Sequence, residues 1–118
     1  MRTPLRIIYF GTPDFAVASL NILVEYNYDI AAVVTAPDKP AGRGQKLRQT
    51  AIKVYSEEKG LIVLQPEKLK SEQFIQQLKD LKANLQIVVA FRMLPEVVWN
   101  MPEIGTFNLH GSLLPQYR

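Results

Sequence analysis

Short apolar runs, rich in β-branched and aromatic residues, recur along the chain and predict five β-strands. These runs occupy residues 6–10, 30–35, 62–64, 85–91 and 105–110. Between them the apolar positions change to helical spacing, as at Phe74, Ile75 and Leu78. This spacing predicts helices over residues 15–24, 50–59, 71–81 and 94–100.

Capping residues and helix breakers refine these elements. We expect Asp14, or Thr12 just before Pro13, to cap the first helix, and we expect Gly60 to end the second. Residues 37–49 contain two prolines and two glycines, which favour a loop over a regular element.

Strands that alternate with helices predict βαβ units and a mostly parallel sheet. Right-handed crossovers then place helices on both faces, so the expected fold is α/β, a Rossmann-like doubly wound sheet. Counted along the chain, the strands are expected in the order 3-2-1-4-5. No interior linker divides the 118 residues into two domains.

Composition excludes several classes of protein. The chain has no cysteine and one histidine, which excludes disulfides, a thiolate nucleophile and a metal site rich in cysteine or histidine. The apolar run before the first glycine is only four residues long, 7–10, which is too short for a signal peptide, and no apolar run is long enough to span a membrane. We therefore expect a cytoplasmic protein with no membrane partner.

The net charge of +3 is unevenly distributed. Residues 36–53 carry five basic side chains and one acidic one, a net +4, so the remainder of the chain is slightly acidic. This segment could hold nucleic-acid phosphates, or it could be an ordinary solvated loop. The candidate phosphate-binding residues are Lys39, Arg43, Lys46 and Arg48.

In a doubly wound sheet, ligands bind at the carboxyl ends of the strands, where the strand order reverses. Here that point lies between the first and fourth strands, and it brings three distant segments together. They are Gly11-Thr12-Pro13, Phe91-Arg92-Met93-Leu94 and Asn108-Leu109-His110. The first segment lacks the G-x-G-x-x-G spacing of a dinucleotide site, so nucleotide binding is not favoured.

Asn108 and His110 point to the same side of the fifth strand, because side chains alternate along a strand. An amide donor beside an imidazole can stabilise a developing oxyanion and move a proton. The alternative is a hydrogen-bonded histidine and a turn-capping asparagine with no chemical role. In the same way, residues 91–94 could form a slot for a flat heterocycle, or Phe91 and Leu94 could belong to the core.

Taken together, these motifs resemble one family. The sequence is similar to the N-terminal half of the formyltransferase domain of methionyl-tRNA formyltransferases, over essentially the whole chain. The Asn-x-His-x-Ser-Leu-Leu-Pro run at 108–115 is typical of formyltransferases that use 10-formyltetrahydrofolate. The Pro-Asp-Lys-Pro-Ala-Gly-Arg-Gly loop at 37–44 resembles the tRNA-acting members more than the glycinamide ribonucleotide formyltransferases.

The resemblance implies formyl transfer from 10-formyltetrahydrofolate to the α-amino group of methionine on initiator tRNA, without a metal. It implies that Asn108 and His110 stabilise the tetrahedral intermediate and assist proton transfer, and that Gly11-Thr12-Pro13 forms an active-site loop. It assigns tRNA contact to the loop around Arg43. Its implied folate-pocket residues are Phe91, Arg92, Met93, Leu94, Ser112, Leu113, Leu114 and Pro115.

The resemblance also has departures. The family often has Tyr-Gly where this chain has Phe91-Arg92. It implies that a catalytic aspartate and a C-terminal tRNA-binding domain lie beyond residue 118, so residues 1–118 alone are expected to be inactive. Two alternatives stay open: a folate-dependent formyltransferase acting on a purine precursor or an amino sugar, and a non-catalytic module that binds folate or RNA.

Overall fold

The computed structural model describes residues 4–41 and 46–109. Seven strands and four helices are found in this part of the chain. The strands are β1 Arg6–Gly11, β2 Asp29–Val34, β3 Lys39–Ala41, β4 Lys46–Arg48, β5 Val63–Leu64, β6 Leu85–Val89 and β7 Gly105–Leu109. The helices are α1 Ala16–Glu25, α2 Ala51–Glu58, α3 Glu72–Leu81 and α4 Glu96–Trp99.

Five strands form one parallel sheet in the order β5-β2-β1-β6-β7. The order reverses at β1, so the carboxyl ends of β1 and β6 form the switch point of a doubly wound sheet. The predicted α/β, Rossmann-like class is confirmed. The strand numbers shift because β3 and β4 form a separate antiparallel hairpin between β2 and β5.

The hairpin corrects one expectation. Residues 37–49 were predicted to be a loop, but Lys39, Pro40 and Ala41 pair with Arg48, Leu47 and Lys46. Proline within a short run demotes a strand prediction, yet Pro40 is tolerated here because a two-stranded ribbon is all edge.

The core lies on both faces of the sheet, because strand side chains alternate. Ile7 and Tyr9 of β1 face the cluster beneath α1 and α2, which includes Leu20 and Ile52. The opposite face of β1 joins the cluster beneath α3 and α4, whose members include Ile8, Phe10, Phe74, Leu78 and Val98. The central strand is therefore buried from both sides, as its continuous apolar run requires.

Two helices begin where the sequence predicts, and a third begins without its predicted cap. Thr50 and Ser71 cap α2 and α3, each accepting a backbone N–H bond three residues on. For α1 the predicted caps are wrong, since Phe15 is the N-cap residue and makes no side-chain cap bond. The chain already turns at Pro13, whose carbonyl oxygen accepts the Ala16 N–H at 3.0 Å.

The fourth predicted strand ends earlier than expected. β6 stops at Val89, and Ala90 takes a left-handed conformation with φ of 53°. This turn directs residues 91–94 out of the sheet, toward the carboxyl edge where the candidate site lies. In the described ranges, 4–41 and 46–109, no helix is long and apolar enough to cross a bilayer.

Candidate active site

The turn after β1 is fixed by a buried tyrosine and a glycine. The Tyr9 hydroxyl is buried and donates a 2.7 Å hydrogen bond to the carbonyl oxygen of Ala16. Burial raises the pKa of Tyr9 to about 12, so its phenol stays a neutral donor. A Cβ at Gly11 would lie 3.1 Å from the Ala16 Cβ and 3.2 Å from the Tyr9 ring, which favours glycine. The predicted loop residues Thr12 and Pro13 therefore leave the sheet from a fixed point.

A cavity of about 630 Å³ opens at the carboxyl ends of β6 and β7, and we call it the Asn108 cleft. Asn108 lies opposite Val88 in the strand register and is exposed. The structure thus brings the predicted catalytic asparagine together with the first of the two predicted folate segments, residues 91–94. The full lining comprises Val88, Phe91, Arg92, Met93, Leu94, Trp99, Thr106 and Asn108.

Three residues of the cleft were not predicted from the sequence: Val88, Trp99 and Thr106. Thr106 could have been found, because it lies two residues before Asn108 and so shares its strand face. Its hydroxyl lies 3.0 Å from Gln86 Oε1 and 2.7 Å from the Trp99 carbonyl oxygen. These contacts tie β7 to β6 and to the end of α4, directly below Asn108.

Phe91 and Arg92 are held more firmly than either sequence interpretation predicted. Phe91 packs edge-on against Phe10, with 5.5 Å between ring centroids. The Arg92 guanidinium lies 5.0 Å from the Phe91 ring centroid and donates hydrogen bonds to the carbonyl oxygens of Pro66 and Glu67 at 2.8 and 3.1 Å. Arg92 thus joins the loop after β5 to the loop after β6 and fixes one wall of the cleft.

A second cavity of about 560 Å³, the Lys39 cavity, lies beside the Asn108 cleft and shares Arg92 with it. Its lining comprises Thr12, Pro13, Ala36, Pro37, Lys39, Glu67, Ala90 and Arg92. A smaller cavity of about 190 Å³ adjoins it and adds Arg48 to the same turn. Two predicted tRNA-binding cations, Lys39 and Arg48, therefore meet the predicted active-site loop, and they pair directly across the hairpin.

One basic residue of segment 36–53 is already paired. Lys53 Nζ lies 2.9 Å from Asp38 Oδ2, and both side chains are largely buried. The hydrogen bond from Lys53, followed by that from Gln65, lowers the pKa of the Asp38 carboxyl. Charge counting along the sequence could not show this pair, since the two residues are fifteen positions apart.

The remaining predicted site residues lie outside the described part of the chain. They are Arg43, His110, Ser112, Leu113, Leu114 and Pro115. Lys46 is described as a β4 residue opposite Ala41. Within residues 4–41 and 46–109, no group of three histidine, cysteine or acidic side chains could hold a metal ion.

Comparison with known proteins agrees with this geometry. A family model described as formyl transferase matches residues 5–118. The chain is 66% identical over 114 residues to the methionyl-tRNA formyltransferase of Bacteroides thetaiotaomicron. This alignment covers 97% of the chain and 35% of that protein.

Other relatives give the same result. The methionyl-tRNA formyltransferases of Parabacteroides distasonis and Flavobacterium johnsoniae are 66% and 61% identical over 97% of the chain. The chain spans about a third of the length of these curated relatives. With a family match over nearly its whole length and a doubly wound sheet that opens a cleft at Asn108, the chain belongs to the formyl transferase family.

Proposed function

We propose that this chain is part of an enzyme that transfers a formyl group from 10-formyltetrahydrofolate to the α-amino group of initiator methionyl-tRNA. The observation that carries the proposal is the Asn108 cleft, where an exposed amide shares one cavity with residues 91–94. The similarity to proteins named methionyl-tRNA formyltransferase supports the choice of acceptor.

The cleft suits a folate in size and chemistry. Its volume of about 630 Å³ lies within the usual range of small-molecule pockets, and its lining combines aromatic and aliphatic groups with the polar side chains of Arg92, Thr106 and Asn108. Phe91 and Leu94 provide apolar surface, and Arg92 keeps their loop in place through its bonds to Pro66 and Glu67. These residues would bind the formyl donor and orient its reactive group toward Asn108.

Asn108 would act on the charge that develops during transfer. When the amine nitrogen forms a bond to the formyl carbon, the formyl oxygen becomes negative, and the Asn108 amide can donate a hydrogen bond to it. Breaking the bond between that carbon and the folate nitrogen completes the transfer, while the proton lost by the amine moves to the leaving nitrogen. The sequence resemblance assigns part of this proton transfer to His110.

Lys39 and Arg48 support a nucleic-acid acceptor. Both are exposed and lie beside Thr12, so an RNA end that enters the site would pass them. Phosphate contacts of this kind position a nucleic acid without reading its sequence. Lys46, in the second strand of the same hairpin, and Arg43, a few residues before it in the sequence, are proposed to extend this contact.

Acceptor choice tests the proposal. The complete gene product that carries this sequence would be incubated with 10-formyltetrahydrofolate and either initiator methionyl-tRNA, glycinamide ribonucleotide or an amino-sugar nucleotide. We expect formyl transfer to methionyl-tRNA alone. Transfer only to one of the small acceptors would replace the proposed substrate, and folate or RNA binding without transfer to any acceptor would favour a binding module.

A further inference from the structure

One acidic side chain holds the segment that leads from β2 into the hairpin. Asp38 Oδ2 accepts a 2.9 Å hydrogen bond from Lys53 Nζ, and Asp38 Oδ1 accepts a 2.7 Å bond from Gln65 Nε2. Gln65 Nε2 also donates to the Ala36 carbonyl oxygen at 3.1 Å. The Asp38 side chain is only 18% exposed, so its two oxygens link the segment to α2 and to the loop after β5.

Backbone groups are poorly suited to fix this segment. Pro37 and Pro40 lie on either side of Asp38 and have no N–H to donate. Within the described part of the chain, Asp38 provides the side-chain hydrogen bonds of residues 36–40. Among the described residues, this end of the hairpin is therefore attached mainly through one carboxylate, with the bond from Gln65 to the Ala36 carbonyl oxygen beside it.

The other end of the hairpin, which leads from β4 into α2, is attached at the same place. The Thr50 hydroxyl lies 2.9 Å from the hydroxyl of buried Thr35 and accepts the Lys53 N–H at 3.0 Å. Lys53 thus contacts Asp38, before the hairpin, through its side chain, and Thr50, after the hairpin, through its backbone N–H. Both ends of the β3–β4 ribbon are fixed to the first turn of α2.

We infer that Asp38, together with Lys53 and Gln65, is a positioning residue for the tRNA acceptor, because it fixes the hairpin whose Lys39 and Arg48 meet Thr12 at the site. This inference rests on the proposed function. The Asp38 carboxylate forms its ion pair with Lys53. It therefore does not neutralise Lys39 or Arg48, and their positive charges can attract phosphate groups.

The sign of the effect separates positioning from simple electrostatics. Asp38→Asn makes the segment more positive by one charge and releases Lys53, so electrostatics alone would strengthen RNA binding. A positioning role predicts the opposite, because Lys39 and Arg48 would lose their fixed place beside the site.

The experiment uses the complete gene product with Asp38→Asn and the control Asp29→Asn. Asp29 also pairs with a basic residue, Arg6, but at the amino end of the sheet. We expect Asp38→Asn to raise KM for initiator methionyl-tRNA about tenfold, with KM for 10-formyltetrahydrofolate within about twofold. Hydrogen–deuterium exchange should become faster in the amides of strands β3 and β4, and Asp29→Asn should produce neither change.

Variants of Lys53 complete the test. Lys53→Arg should keep KM for methionyl-tRNA near the wild-type value, whereas Lys53→Met should resemble Asp38→Asn, and the double variant should be little worse than either single one. A lower KM for methionyl-tRNA in Asp38→Asn, or an equal rise of both KM values, would overturn the inference.

The two hypotheses fail in distinguishable ways. If the wild-type protein formylates no methionyl-tRNA, the proposed function is wrong, and the exchange measurement still decides the anchoring. Equal hairpin exchange in Asp38→Asn and Asp29→Asn would then overturn the role of Asp38.

Discussion

Tyr9 shows how a single side chain controls the start of the candidate site. Its hydroxyl bonds to the Ala16 carbonyl oxygen, and its ring lies against Gly11, so it connects β1, the turn and α1. An apolar run with a tyrosine in it predicts a strand, but it does not reveal the partner of the hydroxyl. The bond exists because α1 returns over β1, which only the tertiary fold determines.

Tyr9→Phe should destabilise the protein by about 1 kcal/mol at neutral pH, since it leaves the buried Ala16 carbonyl oxygen without this donor. The raised pKa means that the contribution of neutral Tyr9 is fully present below pH about 10 and is lost as pH rises through about 12. Urea unfolding at several pH values should therefore show that the difference in unfolding free energy between Tyr9→Phe and wild type becomes smaller under alkaline conditions. Tyr26→Phe, at a tyrosine 73% exposed, is the control and should show no such difference.

Asp38 should affect stability at the opposite end of the pH scale. Its pKa is lowered in the folded protein, so its contribution is present above the unfolded pKa of about 3.9 and is lost as pH falls through the lower folded value. The difference in unfolding free energy between wild type and Asp38→Asn should be constant near neutrality and shrink in acid. A difference that grows in acid would show that Asp38 is not stabilised as a carboxylate.

At the level of elements, local signals succeeded where they act over one helical turn. Thr50 and Ser71 begin the helices predicted over residues 50–59 and 71–81, and in the structure each caps its helix. The same reasoning failed at α1, where the Pro13 and Asp14 carbonyl oxygens accept the first N–H groups. The β3–β4 hairpin was not predicted either, because its three-residue strands are too short to show the alternation of apolar and polar positions that indicates a strand.

Thr50 makes one more side-chain hydrogen bond than an ordinary N-cap residue, and the contribution of that bond to stability can be measured. Thr50→Val removes both the cap bond to Lys53 and the contact with the buried Thr35 hydroxyl, so we expect a loss of about 2 kcal/mol. Ser71→Ala removes only a cap bond to Phe74 and should cost about 1 kcal/mol. Chemical denaturation of both variants tests the difference, and equal losses would show that the Thr35 contact contributes nothing.

At the level of the whole molecule, the edge rule for parallel sheets accounts for most of the site. From the sequence alone it predicts that Asn108 and residues 91–94 lie together, because neighbouring parallel strands end at the same edge, as β6 and β7 do. The rule could not supply Trp99, which enters from α4, or the clamp from Arg92 to Pro66. Those contacts depend on how loops of different length pack, and no sequence periodicity records that.

Asn108 provides the most direct test of the account. In the complete gene product, Asn108→Ala should lower kcat/KM for formylation of initiator methionyl-tRNA about 10²–10³-fold, as the loss of one oxyanion donor does in other enzymes. Asn100→Ala, at an exposed asparagine outside the cleft lining, should leave the rate unchanged. A rate for Asn108→Ala near that of Asn100→Ala would contradict the assignment of formyl transfer to this cleft.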